Sequence, residues 1–239
     1  KPQPSIRVYI PKSNGKLRPL GIACYEDKMV QLALKKILEA IYEPRFLNCM
    51  YGFIPNRGCH DAIKELYKRL NNTKICYIVD ADIKGFFDHM KHEWIIKFLY
   101  LYIKDPNIIG LVKKYLKVGV IDGGELMMNE EGSAQGNIIS PILANIYMHN
   151  VLTLWYKFII TKECKGNNFL IVYADDFVAG FQYKWEAENY YKLLKERMEK
   201  FGLQLEESKS RLLQSGAYIA RAKQKSGEST RLETFDFLG

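Results

Sequence analysis

Residues 169–181, Phe-Leu-Ile-Val-Tyr-Ala-Asp-Asp-Phe-Val-Ala-Gly-Phe, set two adjacent carboxylates inside a run that is otherwise apolar, β-branched and aromatic. Runs of this kind read as buried strands, so Leu170 to Tyr173 and Phe177 to Phe181 are predicted strands joined at Ala174-Asp175-Asp176. Neighbours in a regular strand point to opposite faces, and both acids can serve one place only where the backbone turns. Asp-Asp in a tight turn is by itself common, because Asp favours turns and tolerates left-handed backbone. What gives this pair meaning is the company it keeps. The segment Lys74-Ile-Cys-Tyr-Ile-Val-Asp-Ala-Asp82 is a second predicted buried strand, and its alternation puts Cys76, Ile78, Asp80 and Asp82 on one face. Acids on apolar strands are costly unless something pairs them. A hard divalent cation, which Mg²⁺ typifies beside substrate phosphates, removes the penalty.

Charge supports a polyanionic partner. The 239 residues carry 35 Lys and Arg against 27 acids, a formal +8, with a calculated pI near 9.1. The excess sits at the ends: residues 1–22 hold Lys1, Arg7, Lys12, Lys16 and Arg18 with no acid, and residues 209–231 hold six cations against Glu228. Such runs are often merely solvated faces, but basic ends around an acidic centre suit a phosphate-binding cleft. Hydrophobic content of 48% is ample for a packed core. No run of eighteen apolar residues and no signal-peptide pattern occurs, so the expectation is a soluble intracellular chain, cytoplasmic or organellar, with no membrane partner. The cysteines form no C-x-x-C pair and the histidines lack ligand spacing, which argues against disulfides and zinc.

Along the chain, residues 5–22 read as a hairpin reversing at Asn14-Gly15, with Lys12, Lys16 and Arg18 near its tip. A helix is predicted from about Asp27 to Tyr42 with Val30, Leu34, Ile37 and Ile41 as its buried stripe, and another from about Cys59 to Leu70 burying Ala62, Ile63, Leu66 and Leu70. Arg57 is either a phosphate contact or a decoration of its turn. Helices follow at His92 to Ile103 and Pro106 to Leu116, then a hairpin around Asp122-Gly-Gly124. Gly132-Ser-Ala-Gln-Gly-Asn137 is a polar loop delivering a long helix from Ser140 to about Ile160. Small and polar residues ahead of a helix N-terminus, Gln135 and Gly136 here, allow backbone approach to an anion or sugar. A last helix runs from about Trp185 to Phe201 and stops at Gly202.

Asp82, Asp175 and Asp176 on one sheet, with cations from the hairpin, form the layout of two-metal phosphoryl transfer. The chain resembles the reverse transcriptases, most closely the group II intron-encoded reverse transcriptase/maturases, through seven ordered blocks. These are Ile10-Pro-Lys-Ser-Asn-Gly-Lys-Leu-Arg-Pro-Leu-Gly-Ile22, Tyr51-Gly-Phe-Ile-Pro-Asn-Arg-Gly-Cys-His-Asp-Ala62, Ala81-Asp-Ile-Lys-Gly-Phe-Phe-Asp88, Gln135-Gly-Asn-Ile-Ile-Ser-Pro-Ile-Leu-Ala-Asn-Ile-Tyr147, Tyr173-Ala-Asp-Asp176, Gly202-Leu-Gln-Leu-Glu-Glu-Ser-Lys209 and Phe235-Asp-Phe-Leu-Gly239.

The resemblance implies an α+β fold, the fingers and palm of a right-hand polymerase with an antiparallel palm sheet backed by helices. Fingers would occupy mainly residues 1–75 and palm mainly 76–239, with a helical and loop segment at about 90–140 and no complete thumb or maturase domain. By position, Asp82, Asp175 and Asp176 match the family's catalytic metal ligands, two Mg²⁺ being expected, and the Ile83 carbonyl is an added ligand. Asp80 lies off the motif and reads as a supporting or surface acid. Lys12, Lys16 and Arg18 match triphosphate contacts, and Gln135 and Gly136 the loop beside the sugar and phosphates. Phe86 is read as the aromatic gate against a 2′-hydroxyl, with Phe87 its rival. Lys209 resembles a lysine that protonates pyrophosphate, and Phe237, Leu238 and Gly239 begin the primer grip. Two departures stand out: Asn137 replaces a usual glycine and Ala134 a common proline.

The implied activity is RNA-directed DNA synthesis with assistance to splicing. The implied partners are an RNA template, intron RNA, a DNA primer and deoxynucleoside triphosphates, with homodimerisation through surface a thumb would cover. The rival readings are an RNA-binding maturase with a vestigial polymerase site, a reverse transcriptase of retron or diversity-generating lineage and, more remotely, a metal-dependent phosphatase.

Overall fold

The computed structural model describes residues 1–11, 15, 17–128, 131–133, 136–226 and 232–238. Along the chain come β1 (Ser5–Pro11), β2 (Leu17–Ile22), α1 (Tyr25–Tyr42), α2 (Cys59–Asn72) and β3 (Tyr77–Ala81). Next are α3 (Phe86–His89), α4 (His92–Tyr100), α5 (Pro106–Lys117), β4 (Val120–Asp122), β5 (Glu125–Met127) and α6 (Ser140–Met148). After wide helical turns at His149–Thr153 and Tyr156–Ile160 come α7 (Thr161–Glu163), β6 (Asn168–Tyr173), β7 (Asp176–Phe181), α8 (Lys184–Lys200), β8 (Arg211–Gln214) and α9 (Ala217–Ser226). These elements fall into two compact units, one of residues 1–45 and 85–147, the other of 46–84 and 148–239. The division differs from the boundary expected near residue 75. Residues 46–75 go with the second unit because Met50 bridges to Val172 and α2 packs on β6.

In the first unit a sheet of order β2-β1-β4-β5 joins the two predicted hairpins. β1 pairs antiparallel with β2, from Ile6↔Ile22 to Pro11↔Leu17, and parallel with β4 through Ser5↔Val120 and Ile6↔Ile121. The amino-terminal hairpin is therefore not a free edge on both sides, a fact no local pattern could supply. α1 forms where expected, but its buried stripe is Asp27, Gln31, Leu34, Leu38 and Tyr42, whereas Val30 and Ile37 are exposed. The error is one of phase: the apolar positions of α1 exceed what one face can bury, and the buried face is chosen by polar groups that need partners. Tyr42 donates its hydroxyl to the carbonyls of Phe98 and Leu99 at 3.0 and 3.2 Å. Asp27 accepts from the Gln3 amide at 2.7 Å and the Tyr115 hydroxyl at 2.9 Å. Burial pushes its carboxyl up, but these donors and the Cys24 thiol outweigh that and hold it below the usual range.

In the second unit an antiparallel sheet of order β6-β7-β3-β8 carries a core of Ala62, Leu66, Ile75, Ile78, Phe169, Ile171 and Val178. On α2 the expected burial of Ala62 and Leu66 holds, but Ile63 is exposed. α8 buries Tyr190 beside Ala187, Leu194 and Met198. The wide turns after Met148 release backbone carbonyls from the regular ladder, and Arg197 on α8 takes up two of them, those of Val151 at 2.8 Å and Asn150 at 3.1 Å. Arg197 also lies over the Phe201 ring, 4.4 Å from its centroid.

His149 is buried among these turns, bonded to the Thr153 hydroxyl at 3.1 Å and edge-on to Phe46. Burial lowers its pKa from 6.5 to about 4. The folded state thus holds a neutral imidazole that the unfolded chain would protonate below 6.5. Its stabilising effect is complete above that pH and is lost as the pH falls toward 4. The loss is expected to be on the order of 3 kcal/mol. Urea unfolding at stepped pH should show it, and His149→Gln should flatten the profile across that window.

Candidate active site

The second unit brings the expected acids to one end of its sheet. β3 runs antiparallel to β7 with Asp80 opposite Val178 and Ala81 opposite Phe177, so the next step of the same register sets Asp82 against Asp176. On its other side β3 pairs with β8, Asp80 opposite Arg211, and the register continued sets Asp82 against Lys209. Asp82 is fixed on both backbone groups: its amide donates to the Ser210 hydroxyl at 3.3 Å, and its carbonyl accepts from the Glu206 amide at 2.8 Å. The Ile83↔Leu205 bridge uses the Asp82 carbonyl and the Lys84 amide, not the Ile83 carbonyl, for its two bonds.

Asp175 and Asp176 stand at the β6–β7 hairpin, where Tyr173 pairs with Asp176 around a two-residue turn. Ala174 takes a positive φ of 56° at the first turn position while Asp175 does not, as in a type II′ rather than a type I′ turn. An alanine held there is strained by about 1 kcal/mol or more. The second sequence block supports it. The Tyr51 amide donates to the Val172 carbonyl, and the Val172 amide to the Cys49 carbonyl, each at 2.8 Å. Gly52 lies so close that a Cβ there would come within 2.4 Å of the Ala174 nitrogen. Arg57 donates to the carbonyls of Leu47 and Met50 at 3.0 and 2.9 Å, so it braces this support and is not a free phosphate contact.

The acids repel one another. Asp176 is open to solvent on one side yet packed closely on the others. Burial, then the charges of Asp175 and Asp82, push its carboxyl up to about 6, with Lys209 opposing. Asp80 is raised by burial despite Arg211, whose Nε lies 3.8 Å away. Lys209 Nζ lies 2.6 Å from Asp82 Oδ2, and that bond raises the pKa of its ammonium. A tighter hold on its proton runs against Lys209 acting as a proton donor while it is so engaged. Among the described residues no three His, Cys, Asp or Glu side chains close on one point tightly enough to hold a metal ion. The ammonium of Lys209 instead supplies positive charge at Asp82.

Residues 10–239 match the family described as Reverse transcriptase (RNA-dependent DNA polymerase). The chain belongs to the reverse transcriptase family. It is 43% identical over 162 residues to Group II intron-encoded protein LtrA of Lactococcus lactis subsp. cremoris, covering 66% of this chain and 27% of that protein. It is 40% identical over 152 residues to Protein YkfC of Escherichia coli K12, covering 62% of this chain and 40% of that protein. The chain thus spans between a quarter and two fifths of the length of these relatives. Among solved structures, apo telomerase from Candida tropicalis superposes with a TM-score of 0.67 at 14% identity, covering all of this chain and 46% of that one. The fold is accordingly the α+β fingers-and-palm fold of polymerases. No helix among the described residues is long and apolar enough to cross a membrane.

The remaining expected residues divide between the two units. In the first, Arg18 is exposed on β2 opposite Ile10. Gly136 has a φ of 102°, and a Cβ there would fall 2.8 Å from the Gly21 carbonyl, so only glycine lets the loop approach β2 so closely. Asn137, the departure from the family pattern, is buried against the Ser5 hydroxyl at 3.4 Å. Phe86 is 2% exposed and packs edge-on to Phe87 and Tyr147, whereas Phe87 is half-buried. A gate must present its ring to a sugar, and of the two rings Phe87, not the expected Phe86, is the accessible one. In the second unit Phe237 and Leu238 pack on the sheet core. Lys12, Lys16, Gln135 and Gly239 lie outside the described residues.

Proposed function

We propose that this chain is the catalytic domain of an RNA-directed DNA polymerase of the group II intron-encoded type, extending a primer 3′ end with deoxynucleotides and binding intron RNA. One observation carries the reading: Asp82 and Asp176 occupy facing register positions, with Asp175 beside them on a braced turn, in mutual repulsion that Lys209 offsets only in part. The donors are hard carboxylate oxygens, which suit Mg²⁺. Asp82, Asp175 and Asp176 would hold two such ions, with the Ile83 carbonyl as a further donor once Lys209 releases Asp82. Bound Mg²⁺ supplies charge neutralisation at the attacking and departing oxygens.

The chain's own residues do the rest. The acids orient the reacting groups, and the braced turn limits their motion. Lys12, Lys16 and Arg18 bind the triphosphate, Phe87 excludes a ribose, and Gln135 and Gly136 border the sugar. Lys209, freed from Asp82, would offer its ammonium to the charge that forms on pyrophosphate.

The Asp82–Lys209 ion pair, which occupies a carboxylate that a metal would need, favours a second reading, an RNA-binding maturase whose polymerase site is silent. Primer extension on an RNA template decides between them. Incorporation of deoxynucleotides that rises with Mg²⁺ and is much slower with ribonucleotides is expected. RNA binding without incorporation at any Mg²⁺ concentration would replace the first reading with the second.

A further inference from the structure

We propose that α9, with the exposed lysines of α2, forms a docking surface for RNA apart from the acid site. α9 buries none of its residues. A ten-residue helix with no buried face gains little from tertiary packing, and isolated helices of that length are marginal in water. Its sequence, Ala-Tyr-Ile-Ala-Arg-Ala-Lys-Gln-Lys-Ser, is rich in helix formers and carries Arg221, Lys223 and Lys225 with no acid. Arg221 and Lys225 are four apart, a spacing at which like charges destabilise a helix. A polyanion laid along α9 turns that repulsion into attraction.

The neighbourhood agrees. α9 contacts α2, and its entry is pinned there, since a Cβ on Gly216 would meet the carbonyls of Ile75 at 2.6 Å and Leu70 at 3.6 Å. On α2, Asp61 caps the Gly58 amide and Glu65 pairs with Arg69, so the helix's acids are already engaged. Lys64 and Lys68 remain exposed, and among the described residues neither they nor the α9 cations have a carboxylate partner. Tyr218, with the Arg221 guanidinium 5.9 Å from its ring centroid, adds a partly exposed aromatic face of the kind on which unpaired bases stack. α8, in the same unit, is the internal contrast: its cations stand among Glu186, Glu188, Glu196 and Glu199.

The choice of RNA over another polyanion rests on the polymerase reading, but the test involves no synthesis and so fails or succeeds independently of it. Binding of a fluorescent single-stranded RNA to the whole chain is measured across a salt series for the native sequence, for Arg221→Gln/Lys223→Gln/Lys225→Gln, and for Lys184→Gln/Lys192→Gln/Lys200→Gln on α8. The α9 variant should bind about tenfold more weakly at low salt, with the slope of log K against log salt reduced by about two, as loss of three contacts to single-stranded phosphates gives. The α8 variant should stay near the native curve. An α9 variant with unchanged affinity and slope, or an α8 variant that loses as much, would overturn the proposal. Because α9 has no buried residue, its variants should melt like the native chain.

Discussion

Asp175→Asn is expected to lower primer extension by about a thousandfold or more while leaving RNA affinity and the melting temperature where they were. The substitution preserves shape and removes one charge. If Asp175 helps to hold the charge that stabilises the transferring phosphoryl group, several kcal/mol of transition-state stabilisation go with it, and about 4 kcal/mol corresponds to a factor of a thousand. The folded state should not suffer, because Asp175 is one of the charges that drive the Asp176 carboxyl up to about 6. With the neighbour neutral, Asp176 should titrate closer to an ordinary aspartate, which NMR of its side-chain carboxyl can follow. That pairing of a lost rate with an unharmed fold distinguishes a ligand from a structural residue. Synthesis retained by the variant would remove Asp175 from the mechanism, and a variant that melts early would mean that the carboxylate serves the turn rather than the chemistry.

The parts of this site that were legible in the sequence are those written in local chemistry. Two acids interrupting an apolar β-run announce a turn between strands, and β6 and β7 lie where that run predicts. Asp82 is similarly announced by the end of β3. What joins them is not local. The antiparallel order β7-β3-β8 sets Asp82 between Asp176 and Lys209, and strand order is fixed by long-range pairing that no window of residues encodes. Ser210, which binds the Asp82 amide, has no sequence signal beyond adjacency to Lys209. The α1 stripe shows a different failure. An apolar repeat gives the period of a helix, but the face that turns inward was settled by Asp27, Gln31 and Tyr42, polar groups with partners across the first unit. Phe86 and Phe87 are alike as residues and one position apart, and only packing tells the buried ring from the accessible one.

Gly52→Ala is the substitution in which that long-range order should be most costly. The added methyl carbon would lie 2.4 Å from the Ala174 nitrogen, 3.0 Å from the Tyr173 carbonyl carbon and 3.2 Å from the Ala174 Cα, all backbone atoms that cannot swing aside as a side chain does. The two backbone bonds between Cys49–Tyr51 and Val172 hold the segments together, so relief must come from the turn itself, where Ala174 already sits at φ 56°. Overpacking of this kind costs about 1–3 kcal/mol of stability. The larger effect should be on rate, since a displacement of about 1 Å at groups that orient reacting atoms costs on the order of a hundredfold. Turnover should fall more than the KM for deoxynucleotide rises, because the acids move while Arg18 and the β1–β2 hairpin carry no change. Ala174→Gly alone removes the penalty of positive φ. Combined with Gly52→Ala it gives the turn room to yield, so the double variant should recover part of the melting temperature and little of the rate. A Gly52→Ala protein that melts early yet turns over normally would show that the second block only packs against the turn and does not set where its carboxylates stand.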